Sequence, residues 1–214
     1  MEESRRARGR PKRIDDGGLL DAVQGVFWEK GYAGASLTDL AGAAGVSRPR
    51  LYDTFPDKEA MYLAVVDRVI AETEAALDTA LPAARPVRDE LAAFFAMSID
   101  HYLSGVTARG CLVTCTAPAE AAETPAIRAA LGRLIASLDG TFERRFAIAR
   151  DRGEVSANMS PAVLGRLATA MVQSLALRAR SGVDRSEMTA IARATVDVLA
   201  PEGGSASSGR DARA

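Results

Sequence analysis

Residues 36–55 read Ser-Leu-Thr-Asp-Leu-Ala-Gly-Ala-Ala-Gly-Val-Ser-Arg-Pro-Arg-Leu-Tyr-Asp-Thr-Phe. This stretch has the pattern of two short helices joined by a tight turn. Ser36 and Asp39 have the spacing of a capping box, in which each side chain binds the other residue's backbone N–H at the start of a helix. Gly45 ends that helix because glycine adopts a left-handed φ without steric cost. Ser47 begins the next helix, and a proline two residues later is tolerated in its first turn.

Two helices of seven or eight residues around a glycine turn predict a helix-turn-helix. The outward side of the second helix carries Ser47, Arg48, Arg50 and Tyr52. Arginine binds either a guanine edge or a phosphate, and a tyrosine hydroxyl reaches a phosphate. The free N–H groups at the start of the helix also suit a phosphate. An ordinary helical hairpin with solvated arginines has the same pattern, so these residues alone leave both readings open.

Residues on both sides of the stretch make the pattern more specific. The segment from about residue 14 to 62 resembles the DNA-binding domain of the TetR family of bacterial transcriptional repressors. The resemblance is carried by Phe27, Lys30, Gly31, Tyr32, 36–41, 44–47, Leu51, Tyr52, Phe55 and 57–59. It implies that the second short helix enters the major groove and that Tyr52 and Lys58 touch phosphates. It also implies a homodimer on double-stranded operator DNA, and an all-helical C-terminal domain that binds a small-molecule inducer.

The N-terminus adds a strongly basic segment. Residues 1–13 carry six basic and two acidic groups, a net charge of +4, whereas the rest of the chain has a net charge of −5. A basic arm on an acidic body indicates an anionic partner for one end, and a solvated tail is the alternative. Residues 8–11 also resemble the core of an AT-hook. The candidate DNA-binding residues are Arg8, Arg10, Lys12, Arg13, Ser36, Thr38, Ser47, Arg48, Pro49, Arg50, Tyr52 and Lys58.

The rest of the chain repeats apolar residues at intervals of three and four, without strand or hairpin signals. Caps, prolines and glycines divide it into helices near 17–31, 36–44, 47–55, 57–80, 87–104, 111–122, 125–152, 161–182 and 184–200. We therefore predict an all-α, nine-helix, TetR-like fold. Its segments are a disordered basic arm at 1–13, a DNA-binding domain at 14–64, a ligand-binding and dimerisation domain at 65–200, and a disordered tail at 201–214.

The C-terminal half contains two candidate sites. Residues 110–113 and 173–182 resemble the ComR-like subgroup of the TetR family, named for a copper-responsive repressor, and the copper assignment is not carried over. The predicted ligand pocket, which is mainly apolar, is lined by Phe94, Phe95, Ser98, His101, Tyr102, Cys115, Met171 and Ser174. The predicted dimer face on the last two helices consists of Val163, Leu167, Met171, Leu175, Met188, Ile191, Thr195 and Val198.

Composition excludes several classes of protein. Apolar residues are 48% and charged residues 26% of the chain, which is typical of a globular protein. Two cysteines in 214 residues are too few for a disulfide scaffold, which favours a reducing compartment. The sequence also has no apolar run of roughly 20 residues, the length of a membrane span. Together these observations favour a cytoplasmic protein. No phosphate loop or hydrolase motif occurs and there is one histidine, so we expect neither a cofactor nor an enzyme.

Two alternatives to a small-molecule-responsive repressor stay open at this point. Cys111 and Cys115 lie four residues apart, and with His101 they could form a thiol or metal sensor. A buried cysteine also serves as a small apolar residue, which is the structural explanation for the pair. A carrier or enzyme that has kept the pocket beside an inactive helix-turn-helix is the alternative of another class.

Overall fold

The computed structural model describes residues 16–104 and 108–202. This part of the chain forms nine α-helices and no strand, which confirms the all-α prediction. The helices are α1 (Asp16–Gly34), α2 (Leu37–Ala44), α3 (Arg48–Thr54), α4 (Lys58–Ala80), α5 (Val87–Tyr102), α6 (Leu112–Glu120), α7 (Pro125–Asp151), α8 (Pro161–Arg180) and α9 (Arg185–Leu199). No helix within these described ranges is both long and apolar enough to cross a membrane.

Helices begin where the capping residues predict. At α2, the Asp39 amide donates to Ser36 Oγ at 3.1 Å, and the Asp39 carboxylate accepts from the Ser36 amide at 3.0 Å. At α4, the Asp57 carboxylate accepts from the amide of Ala60 at 2.7 Å. Each cap satisfies backbone donors that the first turn of a helix leaves without a partner. These boundaries could be predicted because caps act over three residues of sequence.

The core of the N-terminal domain forms around a bend in α1. Gly31 has φ 70° and ψ 179°, a conformation that interrupts the helix and that side-chain-bearing residues rarely adopt. After the bend, the Tyr32 ring packs 6.4 Å from the Phe27 ring and 5.2 Å from the Tyr62 ring, centroid to centroid. Phe27 and Tyr62 are fully buried. This aromatic cluster joins α1 to α4.

Helix α4 belongs to both halves of the molecule. The boundary that we expect at residue 64 falls inside it, so no linker separates the halves. The Tyr62 hydroxyl lies 2.6 Å from Thr116 Oγ1 of α6, a buried hydrogen bond between the two halves. Burial raises the pKa of Tyr62 to about 12, so its phenol stays protonated. The N-terminal domain is therefore fixed directly to the C-terminal one.

The C-terminal domain contains a buried ion pair. Arg145 of α7 donates from Nε to the carboxylate of Glu90 of α5 at 2.5 Å, and the two side chains are 2% and 0% exposed. The same carboxylate accepts from the amides of Ala84 and Arg85 at 2.9 and 3.0 Å. Buried charges require such partners because desolvation is costly. The cluster holds the turn between α4 and α5 against α7.

Candidate DNA-binding surface and ligand cavity

The structure brings the predicted residues of the helix-turn-helix to the molecular surface. The exposed ones are Ser36, Thr38, Ser47, Arg48, Pro49 and Tyr52, and Arg50 and Lys58 are half-buried. Arg48 donates from its guanidinium to the hydroxyl of Thr38, which links α3 to α2. Arg50 donates from Nη1 to Thr54 Oγ1 at 3.1 Å, within α3. Both arginines are thus oriented by neighbouring hydroxyl groups on a surface formed by α2 and α3.

Ser47 differs in one respect from its predicted role. It occupies the position before α3 with extended backbone, yet its side chain makes no capping hydrogen bond. A capping hydroxyl normally accepts from the second or third amide of the helix, and the second residue of α3 is Pro49, which has no N–H. Ser47 therefore starts the helix by its backbone conformation alone.

Lys58 makes contacts within its own domain. Its ammonium group lies 4.6 Å from the centroid of the Tyr32 ring and 3.5 Å from the carbonyl oxygen of Ala33. Those contacts hold the start of α4 against the end of α1, so a phosphate contact from Lys58 stays a prediction. The predicted arm residues Arg8, Arg10, Lys12 and Arg13 lie outside the described part of the chain.

An ion pair not predicted from the sequence supports the start of α2. Lys30 donates to the Asp39 carboxylate at 2.7 Å. The hydrogen bonds from Lys30 and then from Ser36 lower the pKa of Asp39 to about 2. The lysine and the aspartate are nine residues apart across the bend at Gly31, so no helical spacing announces the contact. It fixes the end of α1 to the cap of α2.

A cavity of about 290 Å³, open to solvent on one side, lies where α1 and α4 meet α5, α6, α7 and α8. It is lined by Gln24, Trp28, Val69, Glu72, Thr73, Ala76, Phe94, Met97, Ser98, His101, Tyr102, Cys111, Leu112, Thr114, Leu134, Leu138 and Val172. Four of the eight predicted ligand residues are among them, namely Phe94, Ser98, His101 and Tyr102. All four come from one face of α5.

The other four predicted residues do not line this cavity. Phe95 follows Phe94 on α5 but points into the core, where it is fully buried. Cys115 Sγ lies 3.7 Å from the carbonyl oxygen of Ala176, between α6 and α8. Met171 faces a groove shared with α9. Ser174 accepts a hydrogen bond from Arg178 Nε at 3.1 Å along α8. Each is displaced by the rotation of its helix, which the sequence pattern does not fix.

The chemistry of the lining limits what the cavity can hold. Its inner part is apolar, with Phe94 and Leu138 buried in it. Burial raises the pKa of Tyr102 well above its ordinary value, so the phenol is neutral. Glu72 is the one acidic residue among the lining residues, and none of them is a lysine or arginine. The arrangement suits a molecule with an apolar body and no negative charge.

The cysteines do not form an evident sensor. Cys111 is buried in the wall of the cavity, and burial raises the pKa of Cys115 to about 11. A thiol with that pKa is almost entirely protonated at neutral pH, whereas the thiolate is the reactive form. Among the described residues, no group of three histidine, cysteine or carboxylate side chains is placed to hold a metal ion. The structure therefore favours a packing role for the pair.

The outer sides of α8 and α9 form an apolar groove of about 470 Å³. Leu167, Met171, Ile191, Thr195 and Val198 from the predicted dimer face line it. Val163 is also exposed, on the same helix as Leu167. This surface is what two copies of the chain would need to form a four-helix bundle.

Two residues assigned to the dimer face are in the wrong place. Leu175 and Met188 are fully buried within the single chain, so neither can contact a second copy. Leu175 belongs to the buried stripe of α8 that also includes Leu164, Ala168 and Val172. The periodicity of three and four residues fits both stripes of α8, and only the packing of α8 against α7 separates them.

A larger depression of about 610 Å³ lies between α5 and α9 and contains none of the predicted ligand residues. Its floor consists of small apolar side chains such as Ala92 and Ala192. Arg88 pairs with Asp197 at one end, and a second arginine–aspartate pair spans the other end. Two of its arginines are already paired with aspartates, and the smaller cavity is more apolar and contains four of the predicted ligand residues, so the smaller cavity is the better candidate for the ligand site.

Comparison with known protein families gives two matches. Residues 19–65 match the model described as "Bacterial regulatory proteins, tetR family". Residues 87–195 match the model described as "Tetracyclin repressor-like, C-terminal domain". The first match contains α2 and α3, and the second contains most of α5 to α9.

Individual relatives cover almost the whole chain. The HTH-type transcriptional repressor ComR of Escherichia coli (strain K12) is 28% identical over 193 residues, 90% of this chain and 92% of that protein. The uncharacterized HTH-type transcriptional regulator YezE of Bacillus subtilis (strain 168) is 27% identical over 89% of this chain and 92% of its own length. Among solved structures, the chain is similar to a cysteine mutant of the TetR family regulator CifR, which was solved in complex with a 26bp double-strand operator DNA. The TM-score is 0.79 at 25% sequence identity, and the match covers 87% of this chain and 98% of that one.

Proposed function

The chain belongs to the TetR family of bacterial transcriptional regulators, and from this premise we propose that it is a ligand-responsive repressor. Two copies bind a palindromic operator in the cytoplasm, and a small molecule in the cavity of about 290 Å³ releases them. It is a DNA-binding regulator and not an enzyme. The observation that carries this proposal is the joint presence of an exposed helix-turn-helix surface and an apolar cavity that contacts the same domain.

DNA recognition rests on α3. Arg48 and Arg50 are held by hydroxyl groups of Thr38 and Thr54, so their guanidinium groups are oriented before DNA arrives. We assign base reading to Arg50, because a guanidinium matches two acceptors of guanine in the major groove. Tyr52 is 44% exposed and contacts a phosphate through its hydroxyl. The basic arm at 1–13 adds contacts to the adjacent minor groove.

The ligand is a neutral or cationic molecule with an apolar body. The cavity offers aromatic and aliphatic side chains, one carboxylate from Glu72, and no basic residue in its lining. No lining residue would supply a counter-charge to an anionic ligand. Ligand binding then shifts the population of dimers away from those whose two DNA-binding domains match the operator half-sites.

The proposal is tested with the purified full-length protein. Selection of bound fragments from random double-stranded DNA should return a palindromic sequence, and DNA upstream of the protein's own gene is a second target. Mass spectrometry of co-purifying small molecules should identify non-anionic apolar compounds, and adding them should release the DNA. A protein that binds no DNA in either assay would instead support a carrier with an inactive helix-turn-helix.

The arm has a separate test in the salt dependence of binding. Deleting residues 1–13 removes six basic groups from each protomer. Each neutralised phosphate contributes about −0.9 to the slope of log K against log salt, so we expect a slope shallower by roughly 3 to 6 for the dimer. The loss should be larger on operators with A·T-rich flanks, whose narrow groove concentrates negative potential. An unchanged slope would make the arm a solvated tail.

A further inference from the structure

One wall of the cavity belongs to the DNA-binding domain itself. Trp28 lies on α1, in the N-terminal domain, and its side chain lines the cavity. The indole ring packs 5.6 Å from the His101 ring, centroid to centroid, and His101 is also a lining residue. A molecule in the cavity therefore contacts the DNA-binding domain directly, without an intermediate helix.

The same side chain is tied to the C-terminal domain. Trp28 Nε1 donates to the carbonyl oxygen of Gly110 at 3.0 Å. The Gly110 amide in turn donates to the carbonyl oxygen of Tyr102, a lining residue at the end of α5, at 3.3 Å. Gly110 has φ 65°, and a Cβ at that position would lie 2.2 Å from the carbonyl oxygen of Ala176. Because the backbone is confined there, it is a fixed acceptor for the indole.

Arg180, at the end of α8, holds the backbone on the other side of the indole. Its Nη1 donates to the carbonyl oxygen of Trp28 at 3.0 Å, and its Nη2 to that of Glu29 at 3.4 Å. Nη1 also lies 3.4 Å from the carbonyl oxygen of Arg109. The carbonyls of Trp28 and Glu29 stand just before the bend at Gly31, which interrupts α1. One guanidinium therefore joins α1, α8 and the segment before α6.

We propose that this interdomain contact, formed by Trp28, Gly110 and Arg180, is the route by which an occupant of the cavity moves the DNA-binding domain. The inference rests on the proposed function and names the regulation of the same cavity. An occupant that packs against the indole displaces it from the fixed carbonyl of Gly110. Trp28 and Arg180 are positioning residues here, because they act on DNA only through the placement of α1.

The displacement reaches the DNA-binding domain because Trp28 is adjacent to its core. Phe27, the preceding residue, is fully buried, and its ring lies 5.2 Å from the Tyr62 ring. Close-packed side chains of this kind do not absorb a shift separately, so α1 moves with its surroundings. On the other side, the Arg109 guanidinium lies 5.9 Å from the indole centroid, and its Nε is buried without a hydrogen-bond partner. The Arg109 guanidinium therefore packs against the indole as a cation–π partner.

The first experiment compares two arginines of α8 in the full-length protein. Arg180→Gln removes the guanidinium that binds α1, whereas Arg178→Gln removes one that contacts only Ser174 and Glu187. For Arg180→Gln we expect hydrogen exchange of the amides at 29–31 and 109–111 to accelerate about tenfold, as local opening becomes easier. Arg178→Gln should leave these amides within about twofold of the wild type. Equal exchange in both variants would overturn the proposal, and this readout requires no DNA or ligand.

The second experiment fills the cavity by substitution, so that no ligand is needed. Ser98 is a buried lining residue whose hydroxyl donates to the carbonyl oxygen of Phe94 and also hydrogen-bonds the Tyr102 phenol. Ser98→Phe therefore adds an aromatic ring to the cavity and removes both bonds. We expect Ser98→Phe to weaken binding to the selected operator about tenfold, which is a usual size for coupled sites. In a Trp28→Phe background, which lacks the indole donor, the same substitution should change binding by less than about twofold.

Several outcomes decide between the explanations. If the losses of operator affinity caused by Ser98→Phe and by Trp28→Phe add in the double variant, Trp28 does not connect the cavity to DNA. That outcome would overturn the proposal. Ser98→Ala is the control for loss of the hydroxyl, and thermal unfolding checks each variant. If Ser98→Phe does not fold, Thr73→Phe fills the same cavity from α4. A wild type that binds no DNA would defeat the proposed function, while hydrogen exchange would still test the interdomain contact.

Discussion

The DNA-binding surface and the ligand cavity place their functional groups in opposite ways. On the surface, Arg48 and Tyr52 project from α3 into solvent, and the stability of this region depends on other residues, such as the Ser36–Asp39 cap. In the cavity, the inner lining residues are themselves part of the core: Phe94 is 3% exposed and Leu138 is 2% exposed.

This difference has a consequence for mutagenesis. In the N-terminal domain, function and stability can be changed separately at Arg50 and Tyr52, because neither residue caps a helix, whereas Ser36 is both a predicted DNA contact and the cap of α2. In the C-terminal domain, changing the cavity also changes the packing of the fold. The outer side of α8 and α9 is the exception there, since its apolar residues are exposed in the single chain. Four predictions, ordered by expected effect, test this contrast, and a fifth concerns its dependence on pH.

The largest effect is expected in the core of the C-terminal domain. Glu90→Ala removes the carboxylate that accepts from Arg145 Nε and leaves the buried guanidinium with the more distant Glu154 carboxylate at 3.4 Å. Breaking a buried pair in this way costs about 3–5 kcal/mol of the free energy of unfolding. Urea denaturation of the full-length protein measures it. Asp67→Ala is the matched control, because it removes the exposed partner of Arg133 and should cost about 0–1 kcal/mol. Similar losses for both variants would contradict the central role of the buried pair.

The exposed face of α8 should behave differently from that core. Leu167 is 45% exposed in the single chain and lines the groove with α9, so Leu167→Glu should leave the protomer folded. We expect the dimer dissociation constant to rise at least a hundredfold, about 2.8 kcal/mol, because an unpaired charge would be buried in the interface. Light scattering measures the change. Ile148→Glu is the control, because Ile148 is an exposed apolar residue of α7 outside the groove. An intact dimer of the Leu167→Glu variant would place the interface elsewhere.

On the DNA-binding surface, recognition should change without loss of stability. Arg50→Ala should cost about 1–3 kcal/mol on the operator and much less on scrambled DNA, if its guanidinium meets a guanine edge. Tyr52→Phe should weaken binding to both sequences alike, since a phosphate contact carries no base information. Fluorescence anisotropy with the two DNAs measures both. Equal losses on both sequences for Arg50→Ala would remove Arg50 from the base-reading set.

The smallest effect concerns the caps of the two short helices. Ser36→Ala removes a side chain that accepts from the Asp39 amide, and should cost about 1 kcal/mol of the free energy of unfolding. Ser47→Ala should leave stability almost unchanged, because the Ser47 side chain makes no capping bond. Thermal unfolding of the two variants decides this, and equal destabilisation would mean that Ser47 caps α3 in solution.

The same cap gives the domain a dependence on acid. The Lys30 and Ser36 hydrogen bonds lower the pKa of Asp39 from 3.8 to about 2. A lowered carboxyl pKa stabilises the folded state above the unfolded value, and that contribution is lost as the pH falls from 3.8 through about 2. Asp39→Asn should therefore flatten the acid end of the stability profile of the wild type.

Local patterns in the sequence are sufficient to predict the helices and the candidate DNA-binding surface. Caps such as Ser36 and Asp57, and the glycine turn at Gly45, act within three or four residues, so they fix where helices begin and end. The recognition residues also lie within one short segment, and once α2 and α3 exist their positions follow. The aromatic face of α5 was predicted for the same reason, because helical periodicity assigns Phe94 and Tyr102 to one side.

Only the tertiary structure decided the cavity, the separation of core from outer face on α8, and the contact between domains. Trp28 and Gly110 are 82 residues apart, and Trp28 and Arg180 are 152 apart, so no local pattern links them. Leu175 and Met171 both fit the apolar spacing of α8, yet one is buried and the other faces the groove. Periodicity fixes which residues share a face of a helix, whereas the rotation of that helix against its neighbours depends on close packing of side chains distant in sequence.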